Sequence, residues 1–120
     1  MDKDNNLEKR TFDFAVSVVK LLNSIKYSTT NDVIKYQLAK AATSVGANYE
    51  ESQGAFSKDD FKFKISICFK EAKESNYWLR IIKAIDISHD KKLDFLIQES
   101  LELKKIFASI MKKLNDKESS

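Results

Sequence analysis

The residues able to do chemistry are few, and their spacing argues against catalysis. The chain has one cysteine, Cys68, and one histidine, His89. A thiolate nucleophile needs a base within hydrogen-bond reach, and most of a helix separates these two. No glycine-rich phosphate loop occurs, because Gly46 and Gly54 are the only glycines. Glu71 and Glu74 raise the question of a di-metal site, which in a helical bundle takes four glutamates and two Glu-x-x-His pairs. The nearest approach is Asp86-Ile87-Ser88-His89, and one histidine cannot supply two pairs. The sequence therefore predicts no catalytic residue, no metal ligand, no cofactor and no small-molecule substrate. Pairing of the glutamates with lysines or helix-end amides is the structural reading.

A second set is basic. Lys104, Lys105, Lys112 and Lys113 fall on one helix, with Lys105 and Lys112 nearly in line and the other two flanking them. Such a ridge suits a phosphate backbone. Lysine near a helix C-terminus also offsets the macrodipole and keeps a surface soluble, and on the residues alone this solvated-face reading is the stronger. The net charge of +3 does not announce a nucleic acid. Residues 1–60 carry eight Lys/Arg against nine Asp/Glu, and residues 61–120 carry thirteen against nine, a mild basic bias in the second half.

A third set is apolar. Phe61, Ile65, Cys68, Ala72, Ser75, Leu79 and Ile82 repeat in steps of four and three, a heptad seam on one long helix. About 100° around lies a second stripe: Lys64, Ile67, Glu71, Glu74, Trp78, Ile81 and Ile85. One apolar face suffices for a helix in a lone bundle. The second stripe is either the edge of a broad core-facing surface or a contact with another subunit. Adjacent tryptophan and isoleucine on a surface favour the contact, which places Ile67, Glu71, Trp78, Ile81 and Ile85 at an oligomer interface. Cys68, on the seam, reads as a small buried hydrophobe with no disulfide partner in the chain.

These residues need helices to position them, and the composition supplies little else. The 120 residues contain no proline, and sheet proteins need such turn formers repeatedly. The expected architecture is all-α, a single domain over 1–120, folded as an up-down-up-down four-helix bundle. Helix one is expected over about 7–26, with Leu7, Phe14, Val18, Leu21 and Ile25 on one stripe. Helix two is expected over 30–52, entered through a Thr29/Asp32 capping pair, with Ile34, Leu38, Ala41, Val45 and Asn48 or Tyr49 inward. Gly46 inside it costs about 1 kcal/mol relative to alanine, so close approach of a neighbouring helix is expected there. Gly54 is expected in the left-handed position that ends the helix. Helix three, about 57–86, starts at Ser57, whose hydroxyl can accept from the amide of Asp60. Helix four, about 90–115, is capped by Asp90, with Leu93, Leu96, Ser100, Leu103, Phe107, Ile110 and Leu114 inward. A frayed tail is expected over 116–120. The charged start MDKDNNLEKR is unlike a signal peptide, and no apolar run has the length of a membrane span. The expected compartment is the cytoplasm.

Three segments carry a family likeness: Ser44-Val45-Gly46-Ala47-Asn48-Tyr49-Glu50-Glu51, then Ser57-Lys58-Asp59-Asp60-Phe61, then Lys70-Glu71-Ala72-Lys73-Glu74-Ser75-Asn76-Tyr77-Trp78-Leu79-Arg80. Together they resemble the bacterial four-helix-bundle proteins first described from intervening sequences of 23S ribosomal RNA genes. The resemblance implies a homo-oligomer, a pentameric barrel of bundles, and an association with ribosomal RNA genes or RNA. A related accessory protein of diversity-generating retroelements is a basic pentamer that works with a reverse transcriptase. Many members have glycine and arginine where this chain has Ser52 and Ala55, which removes a basic group from the loop. The likeness also implies structural roles at the junction of helices two and three. Asn48 would satisfy open backbone groups at the turn and Glu51 would accept from the amides opening helix three, with Ser57 beside them. Glu71 and Tyr77 would belong to packing or the subunit contact. The combined expectation is a non-enzymatic, self-associating, RNA-associated accessory bundle. The competing expectation is a protein–protein scaffold without affinity for nucleic acid.

Overall fold

The heptad beat is realised as four helices around one apolar core. The structure, a computed structural model, describes residues 3–119 and the side chains of residues 6–118. Its helices are α1 (Lys3–Asn23), α2 (Thr29–Gln53), α3 (Lys58–Ala84) and α4 (Leu93–Ser119). Chain neighbours pack together, and α1 closes the ring against α4. This is the four-helix bundle expected. Closure is uneven: α2–α3 and α3–α4 pack extensively, whereas α1 meets α4 sparsely. A bidentate ion pair bridges that seam, with Arg10 Nε donating to Glu99 at 2.9 Å and Nη2 at 2.7 Å. Glu99 holds the Arg10 guanidinium above its ordinary pKa, chiefly through that hydrogen bond.

The α3 seam is buried from Ile65 to Ile82, with Phe61 packed at its edge. On α4 the side chains of Leu93, Leu96, Ser100, Leu103 and Phe107 are buried. On α1 Leu7, Phe14, Val18 and Leu21 are buried, and Thr11 supplies the beat between Leu7 and Phe14. Its hydroxyl is satisfied within the helix, donating to Leu7 O at 2.8 Å. On α2 Tyr49 is the buried residue of the Asn48/Tyr49 pair, and Asn48 is half-buried. Gly46 has the neighbour that its position required: a Cβ there would lie 3.1 Å from Thr11 Oγ1.

The helix ends correct several expectations. α1 stops at Asn23, where Ser24 Oγ donates to Leu21 O at 2.7 Å, and Ile25 is buried beyond the helix end. Ser28, not Thr29, caps α2 by accepting from Asn31 N at 2.9 Å. Gly54 ends α2 at φ −108°, so it is not left-handed. Ser57 caps α3 as expected, accepting from Asp60 N at 3.0 Å, and Asp60 Oδ2 accepts from Phe56 N at 3.1 Å. Asp90 accepts from Lys92 N at 2.8 Å, which turns the chain just before α4. α4 runs to Ser119, and Glu118 is paired to Lys62 at 2.8 Å. Ser120 lies outside the described residues. No helix among them is long and apolar enough to cross a membrane.

The left-handed residue is Asp86, φ 57°. Ile87 N donates to Ile82 O and Asp86 N to Lys83 O, the two bonds of a Schellman stop. Ile87 then packs against the core that holds Ile82. A side chain in this conformation is strained, and a carboxylate opposes the dipole at a helix C-terminus. Asp86→Gly is therefore expected to raise stability by about 1 kcal/mol, read as a higher urea midpoint.

Candidate functional site

The second stripe of α3 is half-covered by its own bundle. Trp78 and Ile81 are partly buried and packed against the core. Ile67 and Glu71 are also half-buried, while Ile85 is exposed at the helix end. Trp78 Nε1 donates to Glu74 Oε2 at 3.2 Å, which satisfies the indole. Burial pushes the Glu71 carboxyl above its ordinary range, helped by the neighbouring Glu74 and opposed by Lys70 and Lys40.

The segment from Glu74 to Arg80 forms one connected cluster. Tyr77 is exposed and meets Trp78 edge-on, with ring centroids 5.2 Å apart. Arg80 lies 5.8 Å over the Tyr77 ring and donates from Nε to Asn76 Oδ1 at 2.8 Å. Asn76 then donates across to α4, to Ile97 O and to Ser100 Oγ, both at 3.0 Å. Ser100 is buried and donates to Ile97 O. The asparagine thus ties α3 to α4, which its neutral side chain does at no charge-burial cost. Sequence reasoning passed over Asn76 and Arg80. The signal was Asn76 one residue beyond the seam position Ser75, where a polar side chain can reach the next helix.

The junction residues act locally. Asn48 Nδ2 donates to Ser44 O at 2.8 Å and to Ser44 Oγ at 2.9 Å, within α2 and one turn back. It does not serve the turn, because its neighbour Tyr49 takes the inward position. Glu51 meets Lys64 Nζ at 2.6 Å instead of the amides that open α3, where Ser57 and Asp60 already act as caps. That hydrogen bond is the main cause of the raised Lys64 pKa. Gly46 belongs to the α1–α2 contact rather than the junction.

Cys68 is fully buried, 3.4 Å from Val45 O, and burial pushes its thiol up to about 12. Such a thiol is inert at neutral pH. His89 is exposed in the α3–α4 turn. The structure does not bring the two together: one is inside the bundle and the other outside.

The basic residues behave differently. Lys105, Lys112 and Lys113 are exposed and Lys104 half-buried. None of the four has a carboxylate partner among the described residues, whereas Lys9, Lys62, Lys64 and Lys83 are each paired. Phe107 fixes the inward side of α4, so Lys105 and Lys112 point away from the core and the other two stand on either side.

Two apolar features were not expected. Between α1 and α2 runs an open groove of about 590 Å³, lined chiefly by Phe12, Ala15, Val16, Val19, Gly46 and Ala47. Phe56, in the α2–α3 loop, is 99% exposed. Phe12 and Val19 flank the buried stripe of α1, and both remain exposed on this groove.

Comparison with known proteins agrees with this architecture. Residues 3–109 match the family described as 23S rRNA-intervening sequence protein. The chain is also similar to a protein of unknown function from the S23 ribosomal protein family of Bacteroides thetaiotaomicron, whose crystal structure was determined at 1.70 Å. Identity is 32%, the alignment covers 92% of this chain and 99% of that one, and the TM-score is 0.82. No curated protein gives a match.

Proposed function

Since the chain belongs to the 23S rRNA-intervening sequence protein family, we propose that it is a non-enzymatic, self-associating bundle that serves as a cytoplasmic accessory to RNA. Five copies is the expected assembly. The observation that carries the RNA part is the set of four lysines on α4 that have no carboxylate partner among the described residues. A lysine already held by an acid must lose that partner before it can meet phosphate. These four need lose nothing but water and counterions. Their spread around the outer side of α4 suits a curved backbone better than a single point contact.

Structured RNA should be retarded by the protein at low salt. With four phosphate contacts, affinity should fall about 100-fold between roughly 50 and 200 mM salt. Replacing Lys104, Lys105, Lys112 and Lys113 together with glutamine should abolish most of that dependence. Absence of retardation at low salt would overturn the RNA reading. A salt-independent complex unaffected by the four substitutions would move the RNA elsewhere on the surface.

A protein–protein scaffold is the second reading, and the open apolar groove between α1 and α2 favours it. Apolar association barely responds to salt, so the same titration separates the two readings.

A further inference from the structure

We propose that copies of this chain join head to tail, with Phe56 of one copy seated in the α1–α2 groove of the next. The inference rests on the self-association put forward above and assigns its contact. Phe56 touches almost nothing in its own chain, being 99% exposed. Its backbone is nevertheless held in place. Its amide donates to Asp60 at 3.1 Å, and the following Ser57 caps α3 from an extended conformation, φ −156° and ψ 169°. The loop that carries the ring is thus fixed by its caps, so docking need not order the backbone and costs only the side chain's own rotamer freedom.

The groove has the complementary form. Gly46 brings α2 to within a side-chain atom of Thr11, so the helices nearly touch at its floor. Phe12, Val16 and Val19 form one wall and Ala47 widens the opposite side. These three α1 side chains remain 59%, 37% and 38% exposed, an apolar wall that nothing in the chain covers. A phenyl ring fits easily within 590 Å³. Charge follows the same logic. Glu50 and Lys20 stand at opposite ends of the antiparallel groove, and the residues just after Phe56 include Lys58 and Asp59, one of each sign. A second copy therefore offers a ring to fill the groove and one charge of each sign to meet Glu50 and Lys20.

Knob and groove are different patches of one molecule, so the contact is heterologous. Such contacts close into rings or run on as filaments, whereas a two-fold dimer would pair one patch with itself. Cysteine cross-linking reads this difference. A chain carrying both Ala55→Cys, beside the ring, and Thr43→Cys, on the groove rim, keeps Phe56 and the α1 wall intact and should give a ladder of dimers, trimers and larger products with a short bifunctional thiol reagent. Mixing the two single variants should stop at dimers, and each single variant alone should give none. Cys68 is buried and stays out of the reaction.

In sedimentation, Phe56→Ala should weaken association about thirtyfold, the effect of removing a hot-spot ring, with unchanged circular dichroism because the ring supports no fold contact. Dimers from Ala55→Cys alone would mean a two-fold contact and overturn the proposal. So would an assembly whose affinity Phe56→Ala leaves intact; if Trp78→Ala instead lowered its mass, self-association would stand and its contact would lie on α3. A wild-type chain that stays monomeric would overturn the self-association itself.

Discussion

Replacing Phe107 with alanine is expected to remove about 4 kcal/mol of folding stability, the largest loss from any single truncation in this core. The reason is its place across the bundle. Phe107 belongs to α4 and is completely buried. Its ring meets Tyr49 of α2 at a centroid distance of 6.0 Å and an interplanar angle of 51°. Within the described residues, α2 and α4 are diagonal partners with no close backbone approach. Aromatic side chains fill the gap between them. Truncation therefore opens a hole on the bundle axis, and the flanking helices are held apart by their own neighbours, so the hole cannot simply collapse. Transfer and cavity terms both apply in full. Urea unfolding should show a lower midpoint with an unchanged slope. Phe63→Ala and Phe95→Ala are the controls: both rings are about 60% exposed, and each change should stay within about 0.5 kcal/mol. A Phe107 loss as small as theirs would show that the cross-axis contact does not bear on stability.

Much of this architecture was legible because heptad spacing survives tertiary packing. Ile65, Cys68, Ala72, Ser75, Leu79 and Ile82 can be read as one buried line from spacing alone, and the structure buries every one. Where the reading failed, residue type overrode spacing. Thr11 sits on the beat between Leu7 and Phe14 and is completely buried, yet a hydroxyl suggests solvent. A threonine in a helix can satisfy its hydroxyl on the carbonyl one turn back, so its burial costs little. The same preference for type led to Gly54 as the left-handed stop. The chain instead places that conformation at Asp86, where Ile87 can return to the core and hold the turn. Spacing could not reveal the groove, because it depends on how α1 and α2 are rotated against each other. Thr11 and Gly46 set that rotation by their contact, and the sequence marks it only as one glycine inside a helix.

The candidate surfaces divide in the same way. The lysines of α4 were legible because a helix with a known inward side fixes its outward side. Their lack of partners was not, since it depends on which acids the other helices present. Phe56 was invisible for the opposite reason. An aromatic residue in a short loop is ordinarily folded back over the core, and only the capped, extended path through Ser57 turns it outward.

Cys68→Asp is expected to cost at least about 4 kcal/mol at pH 7 and to reverse the usual pH dependence of the bundle locally. The thiol is wholly buried beside the Val45 carbonyl, and burial pushes its pKa up to about 12. A carboxylate in the same place meets the same desolvation and an unfriendly carbonyl oxygen. Lys64, one turn before, offers little relief, because its ammonium is already held by Glu51 at 2.6 Å. The aspartate must take up a proton or drive the bundle apart. Its folded-state pKa is thus raised above the unfolded value of about 3.9, so the folded form binds the extra proton. Stability relative to the parent then improves as pH falls from 7, by about 1.4 kcal/mol per unit while the group stays protonated in the folded and ionised in the unfolded chain. Between pH 7 and 5 the deficit should shrink by up to about 3 kcal/mol. Cys68→Ser keeps a donor toward Val45 O and carries no charge, so its smaller loss should be the same at both pH values. Parallel urea titrations of the two variants check the argument. A pH-independent deficit in the aspartate variant would mean that water reaches this part of the seam.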